Sequence, residues 1–153
     1  MNRQTSLFSK PVSSRGPFAF IANIDGGARG NPGPAAFGVV IRNAKGEVVT
    51  ELAEYLGEQT NNVAEYSGLL AALDYAVREQ YPSLKVLSDS ELLVRQMHGQ
   101  YQVKNAALKE LFDRAQTLVR KLEQFSIEHV LREKNREADR LVNKVLDSRQ
   151  RHG

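Results

Sequence analysis

Apolar and polar positions alternate from Phe18 to Asp25, with Phe18, Phe20, Ala22 and Ile24 on one face and Ala19, Ile21, Asn23 and Asp25 on the other. A period of two predicts a strand, here one that runs into a carboxylate and two glycines. A Gly/Pro-rich loop, Gly26 to Pro34, leads to a second apolar run from Phe37 to Ile41. The turn Asn43-Ala44-Lys45-Gly46 leads to a third run through Tyr55. Three strands joined in this way predict an antiparallel meander.

The period then changes. Tyr66, Leu69, Leu70, Leu73, Ala76 and Val77 recur at helical spacing after the polar pair Asn61-Asn62, which can cap a helix, so Glu65 is expected in its first turn. Leu84 to Leu87 reads as a buried strand ending in Ser88-Asp89-Ser90, and Glu91 to His98 as a short helix. Leu108, Leu111, Phe112, Ala115, Leu118, Val119 and Leu122 mark a longer amphipathic helix. Phe125 to Leu131 is a fifth strand, and Asn135 to about Ser148 a final helix with Ala138, Leu141, Val142, Val145 and Leu146 inward. Strands four and five follow helical crossovers, so they should run parallel to the first. The expected fold is α/β, a mixed five-stranded sheet in the order β1-β2-β3-α-β4-α-α-β5-α, flanked by helices.

At 153 residues the chain is one domain. It has no cysteine, which excludes disulfides and thiolate metal sites and fits a reducing, cytoplasmic compartment. No stretch has the length of a membrane span, and the first 17 residues lack the apolar core of a signal peptide. The net charge of +3 comes from Arg3, Lys10 and Arg15; without them 18 basic residues face 18 acidic ones. Any phosphate-binding surface must therefore come from local placement of charge. The expected organisation is a disordered basic tail over 1–17, one folded domain over 18–149 and a flexible end over 150–153, in a monomer.

Four carboxylates lie in separate segments: Asp25 before Gly26-Gly27, Glu65 after Thr60-Asn61-Asn62, Asp89 in Ser88-Asp89-Ser90, and Asp139 in Glu137-Ala138-Asp139-Arg140. Taken singly, each has an ordinary reading. Asp25 can serve a turn, Glu65 is a common acid near a helix start, Asp89 can cap the next helix, and Asp139 can be a solvated helix charge. Strand ends and helix starts can meet at one edge of an α/β sheet, however. Four like charges brought together there are costly without cations. An all-oxygen donor set favours magnesium or manganese over zinc.

In their order and spacing these motifs resemble type 1 ribonuclease H over roughly Phe18 to Asp147. The resemblance implies a ribonuclease H-like fold and hydrolysis of the RNA strand of an RNA–DNA hybrid. Two Mg²⁺ ions, or Mn²⁺ in their place, would be held by Asp25, Glu65, Asp89 and Asp139, and the products would carry 5′-phosphate and 3′-hydroxyl ends. It also implies that Asn31, Asn61 and Asn62 contact the hybrid and that Thr60 and Asn105 hold a phosphate of the DNA strand. Ser90 and Glu91 would be groove contacts. Amide side chains suit a 2′-hydroxyl because they both donate and accept. Read without the family, these residues are turn and cap residues.

Two departures from the family's pattern matter. Met97 to Asn105 runs directly toward the next helix with no tryptophan, so the basic protrusion of the larger bacterial members is missing. The expected consequence is weaker hybrid binding, or binding that relies more on Lys104, Lys109 and the terminal basic residues; a second reading keeps the fold and extends cleavage to double-stranded RNA. The segment Val130-Leu131-Arg132-Glu133-Lys134-Asn135 also lacks the histidine found there in many relatives; Arg132 is the first candidate to take its role and Lys134 the second, with His129 structural. A catalytically silent nucleic-acid binder is the competing class, but such a protein would gain nothing from four anions facing phosphate.

Overall fold

The computed structural model describes residues 17–152, so the tail expected over 1–17 lies, apart from Pro17, outside the described residues. Five strands, β1 (Phe20–Ala28), β2 (Gly33–Asn43), β3 (Val48–Gln59), β4 (Ser83–Ser88) and β5 (Gln124–His129), form one sheet in the order β3-β2-β1-β4-β5. The β1–β2 and β2–β3 pairs are antiparallel, and the β1–β4 and β4–β5 pairs parallel, as the connections predict. The helices are α1 (Asn61–Arg78), α2 (Glu91–Met97), α3 (Ala106–Val119) and α4 (Arg136–His152), with a 3₁₀ turn over Arg132–Lys134.

Strand β2 shows how the layers form. Phe37, Val39 and Ile41 join a core with Tyr66, Leu69 and Leu73 of α1 and Ala115 and Val119 of α3. The alternate residue Ala36 packs instead with Val142 and Leu146 of α4. A strand covered on both faces reads as a continuous apolar run rather than an alternating one. Gly38 lies on the α4 side, where a Cβ would come within 2.6 Å of the Ala138 carbonyl oxygen, so its missing side chain lets α4 sit directly on the sheet.

Several boundaries differ from the sequence expectations. Strand β1 continues past Asp25, because Gly26, Gly27 and Ala28 pair with Phe37, Ala36 and Ala35, and the glycine-rich loop shrinks to residues 29–32. Strand β3 likewise runs to Gln59, which pairs with Gly33. Strand β5 stops at His129, which is exposed rather than a core residue. Helix α4 reaches His152, so residues 150–152 of the expected flexible end are helical. Its last turns are held on the sheet side, where the Arg149 guanidinium stacks 4.3 Å over Tyr55.

The three helices that follow strands or loops on the α1 side begin on capping side chains. Thr60 Oγ1 accepts from the Val63 N–H, Ser90 Oγ from Leu93 N–H and Asn105 Oδ1 from Leu108 N–H. Each cap contributes about 1 kcal/mol. Thr60, rather than the Asn61-Asn62 pair, caps α1, which moves Glu65 from the first turn to the second.

Candidate active site

Asp25 sits inside β1, one residue beyond Ile24, where parallel pairing with β4 ends, and Asp89 follows Ser88 at the end of β4. The two carboxylates thus leave neighbouring parallel strands at the same edge. Glu65 approaches from α1. A Cβ on Gly26 would lie 2.3 Å from the Ala64 carbonyl carbon and 2.6 Å from Glu65 N, so only glycine allows α1 this close to β1. The Gly26 N–H acts on both the Asp25 and Glu65 carboxyls, lowering them against the rise that burial causes.

One oxygen from each of Asp25, Glu65 and Asp89 lies within 4.8 Å of the others. Asp139, in the first turn of α4, faces the group closely enough to raise the Asp25 carboxyl. All four carboxylates, with Asn61, Arg29, Arg132 and Asn143, line a cavity of about 450 Å³. A larger cavity of about 840 Å³ lies between β3, α1 and α3, but its Asp74 and Arg78 pair with each other at 3.2 Å and no reactive groups converge there.

The electrostatics follow from crowding and burial. Asp25 is pushed up to about 8, first by burial, then by the charges of Asp89 and Asp139. Glu65 is pushed up to about 9, by burial and then by Asp25 and Asp89. Asp89 is also raised by burial, against the lowering effect of the Arg132 guanidinium. Glu65 Oε1 is buried and has no hydrogen-bond partner. A buried carboxylate oxygen without a donor, facing two further carboxylates, fits a hard divalent cation as its missing partner.

The segment before α4 is fixed by Asn135, which is 1% exposed. Its Nδ2 donates to the Ile24 carbonyl at 2.8 Å, and its Oδ1 accepts from Asn23 Nδ2 at 2.9 Å. Arg42 of β2 adds an ion pair to Glu137 at 2.6 Å. These contacts set Arg132 and Asp139 on either side of a residue bound to the strand that carries Asp25.

The other residues singled out from the sequence are placed differently. Asn31 lies in the β1–β2 loop, its Oδ1 accepting from the Asn61 N–H at 2.9 Å, while Asn61 Oδ1 accepts from Ala28 N–H at 2.8 Å. Asn62 is half-buried in the first turn of α1. Glu91 pairs with Arg95 one turn on, at 2.8 Å. Of these candidates Asn61 lines the carboxylate cavity; Asn31, Thr60, Asn62, Ser90, Glu91 and Asn105 do not. Arg29, Asn135 and Asn143 carried no functional expectation. Asn143 had one available signal, its position one turn after Asp139.

Comparison with known proteins agrees with this geometry. The family described as "Reverse transcriptase-like" matches residues 23–145. The bifunctional protein Rv2228c of Mycobacterium tuberculosis (strain H37Rv) is 43% identical over 129 residues, covering 84% of this chain and 35% of that protein. This chain thus spans about a third of the length of the first relatives it matches. A protein named ribonuclease HI from Halobacterium salinarum is 39% identical over 126 residues, covering 82% of this chain and 63% of its own length. Among solved structures, the N-terminal RNase H domain of the M. tuberculosis protein superposes with a TM-score of 0.84 at 41% identity, covering 89% of this chain and 99% of that one. LC11-RNase H1, solved in complex with an RNA/DNA hybrid, superposes at 0.81 with 43% identity, covering 86% and 99%. With the fold, the carboxylate cluster and these relatives in agreement, the chain belongs to the type 1 ribonuclease H family.

Proposed function

We propose that this chain is an endonuclease that hydrolyses the RNA strand of RNA–DNA hybrids, leaving 5′-phosphate and 3′-hydroxyl ends. The catalytic unit is 18–149 and the setting cytoplasmic, in keeping with a chain free of cysteine. The observation that carries the reading is the meeting of Asp25, Glu65 and Asp89 oxygens within 4.8 Å, with Glu65 Oε1 buried and unpartnered.

Asp25, Glu65, Asp89 and Asp139 would hold two divalent ions, Mg²⁺ or in its place Mn²⁺. What bound ions supply there is activation of water and neutralisation of charge at the departing 3′ oxygen. The chain's own groups do the rest. The Gly26 N–H stabilises the ionised forms of Asp25 and Glu65. Arg132, exposed at the cavity wall beside Asp89, meets the phosphate and balances the carboxylates when the site is charged. Asn61 has its oxygen engaged by the Ala28 N–H, so its amide nitrogen is the group presented to a sugar 2′-hydroxyl. Asn31, Asn62, Ser90 and Glu91 extend the contact along the groove. Thr60 and Asn105, at helix N-termini, receive a phosphate of the DNA strand.

The test is cleavage of an end-labelled hybrid with magnesium, manganese or chelator, beside duplex RNA and duplex DNA, using the natural protein and Asp89→Asn. Metal-dependent cutting of RNA within the hybrid, lost in the variant, is the expected result. Folded protein that binds hybrid but cuts nothing with either metal would make it a silent binder. Cutting of duplex RNA would widen the substrate range.

A further inference from the structure

The loop between β1 and β2 touches both helices that carry site carboxylates. On the α1 side it is held to Asn61 through Asn31, beside the contact that Ala28 at the end of β1 makes with the same residue. On the α4 side Arg29 reaches Asp147 at 2.8 Å, Asn143 Oδ1 at 3.2 Å and the side-chain oxygen of Gln150. The loop is tightly closed: Arg29 N–H donates to the Pro34 carbonyl at 2.9 Å, and a Cβ on Gly33 would lie 2.2 Å from the Arg29 carbonyl oxygen. Asp139, Asn143 and Asp147 recur every fourth residue and form one stripe of α4. Within that stripe the Asn143 side chain is held at both ends, its oxygen accepting from Arg29 and its nitrogen donating to Asp139 Oδ2 at 3.3 Å.

A carboxamide has a donor end and an acceptor end of nearly the same shape. Unrestrained beside Asp139, Asn143 is free to turn its oxygen toward the carboxylate and repel it. A guanidinium has donors only, so Arg29 fixes the amide with its oxygen outward and its N–H toward Asp139. We propose that Arg29 and Asn143 are positioning residues for Asp139, forming a relay that orients the fourth carboxylate from the loop that carries Asn31. The inference rests on the reading of Asp139 as a metal ligand.

The relay is distinct from a simple clamp of loop to helix, and the variants separate the two. Arg29→Met removes every donor. Arg29→Gln keeps a neutral donor for the Asn143 oxygen. Asp147→Asn weakens the ion pair to α4 but leaves the Arg29–Asn143 contact. Three quantities are read: the Asn143 side-chain amide resonances in chelator-treated protein, the affinity for calcium alone by calorimetry, and the magnesium dependence of hybrid cleavage.

Arg29→Met is expected to move the Asn143 resonances, weaken calcium binding roughly tenfold and raise the half-saturating magnesium concentration by a similar factor. KM for hybrid should change by less than about twofold. Arg29→Gln should recover most of the loss, and Asp147→Asn should resemble the natural protein. Unchanged resonances and calcium affinity in Arg29→Met, or equal losses in Asp147→Asn, would overturn the relay. If the natural protein cuts no hybrid, the nuclease reading fails while the resonances and the calcium titration still decide the relay.

Discussion

Gly26 and Glu65 meet backbone to backbone: a Cβ added to Gly26 would stand 2.6 Å from the Glu65 nitrogen, and the Gly26 N–H favours the ionised Glu65 carboxylate. The same glycine thus sets the spacing of α1 from β1 and offsets part of the cost of ionising the acid that α1 delivers. Gly26→Ala is expected to push α1 outward, at a cost of about 1–3 kcal/mol, and to weaken divalent-ion binding about tenfold or more. Urea denaturation and calcium calorimetry on one preparation check both. A stable variant with unchanged calcium affinity would mean that α1 adjusts without disturbing Glu65.

The raised carboxylates make the metal-free protein sensitive to pH in a defined direction. Asp25 at about 8 and Glu65 at about 9 stand above their ordinary values of 3.8 and 4.5. Their contribution to stability is therefore fully present below pH 4 and is lost as pH rises through 8 to 9. Asp25→Asn should match the natural protein near pH 4 and exceed it at pH 9 by on the order of 2 kcal/mol in chelator. Divalent ions should reduce that difference, since they stabilise the ionised cluster. Denaturation curves across pH, with and without magnesium, give the answer; a gap independent of pH would contradict the assignment.

Asn135→Ala removes two hydrogen bonds at a nearly inaccessible position and leaves the Ile24 carbonyl without this donor. A loss of about 2–4 kcal/mol is expected from the two contacts together. Because Asn135 precedes α4, kcat should fall as well, with Asp139 and Arg132 both displaced. Single-turnover cleavage at saturating hybrid separates this from a loss of binding. A drop in stability with kcat intact would make Asn135 a purely structural residue.

Arg132 is exposed, so its removal should leave stability within about 0.5 kcal/mol. If it meets the phosphate beside Asp89, Arg132→Ala lowers turnover on hybrid about tenfold, the equivalent of about 1.4 kcal/mol in the barrier. Arg132→Lys should retain part of the activity, because the charge survives while the planar fork is lost. Turnover equal to that of the natural protein would remove Arg132 from the mechanism.

Much of this was readable from the chain. Alternation gave β1, helical spacing gave α1, α3 and α4, and the crossovers gave the parallel pairing of β1, β4 and β5. The four motif acids do converge: oxygens of Asp25, Glu65 and Asp89 share one small volume, and Asp139 lines the same cavity. Boundaries were less visible where glycines continue a strand. Gly26 and Gly27 read as loop, yet a partner strand supplies the ladder that their own propensity does not. The cap of α1 was assigned one residue late because Thr60, Asn61 and Asn62 are all capable caps, and only tertiary contacts choose among them: Asn61 is committed to Ala28. Asn135 and Arg29 stayed hidden for a related reason. Their importance lies in partners far along the sequence, Ile24 and Asn143, and no local pattern encodes such a meeting.

The order of the strands has a consequence for how the protein comes into being. The β1–β2–β3 meander closes through neighbours in sequence, whereas β4 reaches β1 only across the length of α1, and α4, last in the chain, packs on β2. Pairings of that range form late. Since Asp25 belongs to the early meander and Asp139 to the last helix, the carboxylate cluster exists only in a finished chain. In refolding followed from denaturant, calcium binding should appear with the slowest phase, so that the ion reports completion of the fold; binding that appears with the fastest phase would show that the first three carboxylates suffice.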